Sequence, residues 1–241
     1  MLKAVEGIIV SETNYGETSK IINLITAEGI IGLMAKGAKS LKSPLRSFTT
    51  KFTYGTFQIY YKEDGLSILK DVDVINNLSN TKKDIILISY LSYLSDLTHQ
   101  IMKQNSDAGL YKIYIESILK IESGLNPLII CNILELKALD YLGVGISFNA
   151  CAKCGSSKEI ITIDGDSGGY ICKACYTNEK IYDEKTIKML RMYYLVDIAS
   201  ITDLKISEQC INNINRFINT YYDRYTGLYL KSKKFLEEMR V

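Results

Sequence analysis

The sequence has one histidine, two prolines, and no aspartate or glutamate between Gly29 and Lys62. Each scarcity removes something. The lone histidine, His99, lies in a stretch of helical period with no catalytic neighbourhood. The motif "GDSGG" (Gly165–Gly169), which carries the letters around a serine-protease nucleophile, therefore lacks its base and orienting acid. Two prolines and no Gly/Ser-rich tract leave no linker, so the domains of this 241-residue chain are expected to abut. No G-x-x-x-x-G-K-[ST] occurs, which removes P-loop nucleotide hydrolysis, and "GVG" (Gly143–Gly145) lacks the rest of a dinucleotide fingerprint. "SILK" (Ser117–Lys120) has none of the partner motifs of serine acyl-enzymes and reads as helix.

Long hydrophobic runs are missing too. The longest apolar-rich stretch, Ile85–Leu94, is too short and too hydroxylated to span a bilayer. The first twelve residues alternate and carry two glutamates, unlike a signal or transit peptide. A soluble cytoplasmic protein is expected, with no membrane partner and with its thiols reduced. The formal net charge is only +2, so any affinity for nucleic acid must come from local patches.

The cysteines are the strongest positive signal. Of six, Cys151, Cys154, Cys172 and Cys175 form C-x2-C-x17-C-x2-C, a zinc-ribbon spacing. Two thiolates three positions apart converge on one tetrahedral ion, and four leave no open position. One structural Zn2+ is expected. Gly155 after the first pair can take positive φ and turn backbone N–H groups toward sulfur, whereas Tyr176 stands at that place after the second pair. Between the pairs, "EIITID", "GDSGG" and "YIC" read as strand, turn and strand. Cys131 and Cys210 fall in apolar periodic segments and read as core.

Residues 1–75 read as about five strands, with turns at Glu28-Gly29 and Asp64-Gly65 and an insertion between the third and fourth. Five short strands in this order suit a small OB-type barrel. From residue 81 the period becomes helical. Thr81 to Asp84 reads as a capping box opening a helix to about residue 104. A second helix is expected over about 108–123, a third from Asn126-Pro127 to Gly143, and two more capped by Asp183 and Ser207. The fold class is α+β: an N-terminal five-stranded OB-type β-barrel (1–80), then an α-helical domain (81–241) interrupted by the four-cysteine hairpin at about 146–180.

The acid-free window contains "KGAKSLKSPLRSFTTK" (Lys36–Lys51). Lys36, Lys39, Lys42, Arg46 and Lys51 are candidate phosphate contacts, and the hydroxyls between them are further donors. Phe48, Phe52 and Tyr54 are candidate stacking faces for bases. The competing reading is a solubilising loop over core aromatics.

Taken in order, "EGIIVSETNYGETSKIINLITAEGIIGLMAKGAKS", the Leu142-Gly143 pair, the four cysteines, the glycine pair before the third of them and "LKSKKFL" near the end resemble the RecO family of bacterial DNA recombination and repair proteins. The resemblance covers the whole chain. It implies a non-enzymatic mediator whose OB domain binds single- and double-stranded DNA. It further implies strand annealing, recombinase loading with RecR, and a grip on the C-terminal tail of the single-stranded-DNA-binding protein. The family's basic stretch is often richer in arginine; here lysine dominates, a point charge without the bidentate fork. An acidic, apolar tail needs an apolar pocket with a basic rim. Lys188 and Arg191, one face of a single helix, are candidates for that rim, as is Lys137 on the third helix. The rival reading is a zinc-ribbon adaptor that touches only protein.

Overall fold

The computed structural model describes residues 1–240. By compactness the chain divides into two units: Met1–Glu122 together with Leu230–Val241, and Ser123–Tyr229.

The first unit begins with five strands: β1 (Leu2–Tyr15), β2 (Ser19–Thr26), β3 (Gly29–Ala35), then, after a short helix α1 (Leu45–Phe48), β4 (Tyr54–Tyr60) and β5 (Ser67–Asn76). They close into a barrel in the order β1-β2-β3-β5-β4, with β4 returning to β1. Every pairing is antiparallel except β3 with β5. That is the OB-type topology expected, with the insertion between the third and fourth strands. Alternate residues face inward, and Val5, Ile9, Ile22, Leu24, Leu33, Phe57, Ile59 and Leu69 form the barrel core. Each such side chain contributes roughly 1.5–3 kcal/mol by leaving water. Gly7 and Gly55 lie opposite each other across β1 and β4. A Cβ on Gly55 would lie 2.5 Å from the Asp73 carbonyl, so the close approach of β4 to β5 requires glycine.

Three helices complete this unit: α2 (Ile85–Gln104), α3 (Ala108–Glu122) and, at the far end of the sequence, α7 (Lys231–Met239). The expected capping box is displaced. Thr81–Lys83 forms a 3-10 turn, and Asp84, not Thr81, caps α2, its carboxylate accepting from the N–H groups of Ile86 and Leu87. Thr81 instead serves Glu122 at the end of α3. The Glu122 carboxylate accepts from the Thr81 hydroxyl (2.6 Å), the Thr81 N–H (2.8 Å) and the Asn80 N–H (3.0 Å).

The second unit holds α4 (Pro127–Tyr141), α5 (Glu184–Leu195) and α6 (Glu208–Tyr225) around a three-stranded sheet, β6 (Ser147–Cys151), β7 (Ile160–Asp164) and β8 (Gly169–Cys172). α4 starts at Asn126-Pro127, as its cap and first-turn proline predict, with the Asn126 side chain accepting from Leu128 and Ile129. Asp183 caps α5 through the Thr186 N–H. Ser207 precedes α6 without a side-chain cap bond. Buried tyrosines tie the elements: Tyr222 donates to the Glu135 carbonyl (2.8 Å) and Tyr221 to the Val144 carbonyl (3.0 Å). The β7–β8 hairpin falls where the strand-turn-strand pattern places it. The third strand, β6, pairs parallel to β8 and has no local turn signal.

Candidate nucleic-acid interface and metal centre

The insertion between β3 and β4 presents the basic stretch. Three of its apolar residues point inward: Ala38 and Leu45 are buried with the barrel core, and Phe48 packs against it, whereas Leu41 is exposed. Backbone bonds pin both ends, from the Lys39 N–H to the Thr18 carbonyl (2.8 Å) and from the Phe52 N–H to the Ile9 carbonyl (2.7 Å). The charged residues that face outward are all cationic. Lys36, Lys42 and Arg46 are exposed, and Lys39 is half-buried, its ammonium donating to the Gly16 carbonyl at the β1–β2 tip (3.2 Å). The inward apolar and outward basic residues of "KGAKSLKSPLR" explain why the loop is both ordered and charged.

Lys51 belongs to different surroundings. It lines a cavity of about 340 Å³ with Asn23, Ser92, Asp96 and His99. Its ammonium lies 3.4 Å from the Ser92 hydroxyl and 4.7 Å from the centre of the Phe52 ring. Burial lowers its pKa, with Asp96 and Glu12 opposing. Two of the aromatic faces expected for base stacking are not on offer: Phe52 is 4% and Tyr54 8% exposed. Phe52 takes φ +67°, which turns the chain back onto β1, and the Tyr54 hydroxyl donates to Glu6 (2.6 Å). These rings were absorbed by the core, the ordinary fate of aromatics flanking a strand. Tyr15, beside the Gly16 that Lys39 contacts, is exposed instead; its place at a hairpin tip was its only signal.

In the second unit the four sulfurs of Cys151, Cys154, Cys172 and Cys175 all lie within 4.8 Å of one another, with Cys154 and Cys172 3.6 Å apart. Four sulfurs at about 2.3 Å from a tetrahedral ion would be about 3.8 Å from each other, so the set fits one metal ion with little adjustment. Gly155 has the positive φ its position asks for (+75°), and its N–H bonds the Cys151 carbonyl (2.8 Å). The second knuckle is a 3-10 turn, Lys173–Cys175, with Tyr176 extended after it. Burial pushes the Cys151 thiol up, but the N–H groups of Cys172, Cys154 and Lys153 prevail and bring it down to about 6. Cys175, donating to the sulfurs of Cys154 and Cys172, is pushed up to about 12. Glu179 links the knuckles, pairing with Lys153 (2.5 Å) and accepting from the Thr177 N–H (2.8 Å). Cys131 and Cys210 are buried and stand outside this cluster. "GDSGG" is the hairpin turn, the Ser167 N–H donating to the Asp164 carboxylate (2.7 Å).

Beside the hairpin is a groove of about 980 Å³ lined by Phe148, Ile160, Ile161, Tyr170, Met192 and Leu195. Lys188 and Arg191 both border it. Lys188 pairs with Glu184 one turn earlier (2.5 Å), a spacing legible in the sequence, and Glu184 also lines the groove. Lys137 does not line it; its ammonium donates to the Tyr194 carbonyl at the end of α5 (2.7 Å). Among the described residues, no helix is long and apolar enough to cross a membrane.

The family model for the recombination protein O N terminal matches residues 1–78, and that for the recombination protein O C terminal matches residues 82–234. Similar chains include the DNA repair protein RecO of Listeria monocytogenes serotype 4b (33% identical over 97% of this chain and 93% of that one). Those of Bacillus velezensis (32%) and Bacillus subtilis strain 168 (31%) each match over 99% of this chain and 95% of theirs.

Proposed function

The chain belongs to the RecO family of DNA repair proteins, and from that premise we propose that it acts as a non-enzymatic mediator of DNA recombination in the cytoplasm. It binds single- and double-stranded DNA, anneals complementary strands, and with RecR assists recombinase loading on coated single strands. In this reading the barrel, residues 1–80, is the DNA-binding domain, and the helical residues 81–241 carry the protein contacts. The observation that supports DNA binding is the β3–β4 insertion: Ala38 and Leu45 anchor it in the core while Lys36, Lys42 and Arg46 project and Lys39 stands at its base. Cations on a fixed loop neutralise phosphates without sequence preference. Two strands held and screened at one basic surface meet with less repulsion, which is what annealing requires. Lys51, half-buried against Ser92 and Asp96, contributes to such a surface only at its edge.

Cys151, Cys154, Cys172 and Cys175 would hold one Zn2+, and a closed set of four thiolates supplies folding energy rather than reactivity. The groove beside the hairpin, apolar inside with Lys188 and Arg191 at its border, suits the acidic, apolar tail of the single-stranded-DNA-binding protein. It is also the feature that favours the second reading, an adaptor that touches only protein. Charge reversal separates the two. Lys39→Glu with Lys42→Glu is expected to weaken single-strand binding. It should also flatten the slope of log K against log salt by roughly 0.7–0.9 for each phosphate contact removed. Reversal of Lys112 and Lys120 on α3 serves as the control. Equal losses in the two pairs would move the DNA face elsewhere, and no loss in either would leave the adaptor.

A further inference from the structure

The "GDSGG" turn has a second consequence in the fold. It forms one wall of a cleft of about 290 Å³ whose opposite wall is α6. The interior is aromatic. Tyr182 meets Phe217 edge-on at 6.1 Å between ring centres; Phe217 lies 6.2 Å from Tyr221, and Tyr221 4.7 Å from Tyr225. The turn lies against this row at Gly165: a Cβ there would stand 3.6 Å from the Tyr221 ring and 4.0 Å from Phe217, ordinary contact distances. The rim is cationic. The Lys180 ammonium stands 4.7 Å from the centre of the Tyr182 ring, and the Arg224 guanidinium 5.7 Å from that of Tyr225. Arg216, Thr220 and Arg224 follow at four-residue intervals on one exposed face of α6. Two carboxylates also line the cleft, but both are engaged. Asp164 accepts from the Ser167 N–H, and Asp166 pairs with Arg224. Lys180 and Arg216, both exposed, also line the cleft.

We propose that this cleft is a second nucleic-acid site, which takes one unpaired nucleotide with its base against the half-buried rings of Tyr182 and Tyr225 and its phosphates beside Lys180 and Arg216. A free inorganic anion has no use for a row of four rings, and an apolar ligand leaves the cations unanswered. A nucleotide satisfies both, through its π face and its phosphate. The site stands on its own residues, and strand binding by the barrel loop is not needed for it.

The test is photo-cross-linking of the full chain to a short single strand carrying 5-iododeoxyuridine, with the modified peptides located by mass spectrometry. It is run on wild type, on Lys39→Glu with Lys42→Glu, on Arg216→Glu, and on Tyr182→Ala and Tyr182→Phe. Cross-links at Tyr182 or Tyr225 are expected in wild type and should persist when the barrel loop is reversed. They should fall roughly fivefold or more in Arg216→Glu and Tyr182→Ala and be retained in Tyr182→Phe. Thermal melts and zinc content confirm that each variant is folded, and the exposed Arg216 decides the matter if Tyr182→Ala is not. Cross-links confined to barrel peptides overturn the cleft and leave the barrel reading intact, as do cleft cross-links indifferent to Arg216→Glu. Cross-links confined to the cleft support it and overturn the barrel reading instead.

Discussion

At the scale of the residue, chemistry is decided by how a group is held. Cys151 and Cys175 are the same side chain with sulfurs within 4.8 Å of each other in one cluster, yet one is drawn down to about 6 and the other up to about 12. Backbone N–H groups aimed at Cys151 account for its shift; the neighbouring sulfurs account for that of Cys175. Replacing Cys172 by serine would remove one of the four proposed ligands from the end of β8, and a hard hydroxyl is a poor substitute for a thiolate. Zinc content by elemental analysis is expected to fall well below one per chain, with hydrogen exchange faster over residues 146–180 and unchanged over the barrel strands. Full occupancy in that variant would refute the ligand set. The cysteines were legible because ligand spacing is a local property of the sequence. The burial of Phe52 and Tyr54 was not, because an aromatic beside a strand carries no mark of which way it will face until the barrel closes.

At the scale of the element, the instructive case is the start of α2. A threonine three residues before an acid reads as a capping box, and the acid proved to be the cap. The difference lies in a long-range partner: Glu122 accepts three bonds from Asn80 and Thr81 and holds them in the preceding turn. No local pattern reports a contact across some forty residues. Burial pushes the Glu122 carboxyl up, but the bonds from Thr81 and Asn80 outweigh it, and the net shift is downward. The ionised form is therefore favoured by folding. Its stabilisation is present above the ordinary carboxylate range, near pH 4, and is lost as pH falls through the lowered value. Glu122→Ala is expected to cost about 1–2 kcal/mol at pH 7, a range discounted for partial exposure. The gap from wild type in thermal melts should close as pH drops below about 4. On α5, Arg191→Glu places a repelling charge at the groove while Lys188 stays paired with Glu184. Affinity for a fluorescent acidic tail peptide should fall several-fold, with annealing of naked strands unchanged; an unaltered titration would remove α5 from that contact.

At the scale of the whole molecule, a net charge of +2 gives no general pull toward nucleic acid, so function must rest on patches. The secondary-structure change near residue 80 was visible as a switch of period, since strands and helices repeat at 2 and 3.6 residues. The membership of the compact units was not. The first unit gathers α2, α3 and the distant α7, because Leu230 and Leu236 are buried and Ser232 bonds the Asp96 carboxylate on α2 (2.7 Å). Leu236→Ala should therefore cost about 2–4 kcal/mol in that unit, read as a lower melting temperature with zinc content unchanged. A loss of zinc without a lower melt would contradict the assignment. The return of α7 also bears on the order of synthesis. A chain made from its N-terminus usually completes its first domain first. Here residues that finish the first unit leave the ribosome after the intervening unit, so the side of α2 that α7 will cover stays bare until that unit has been made.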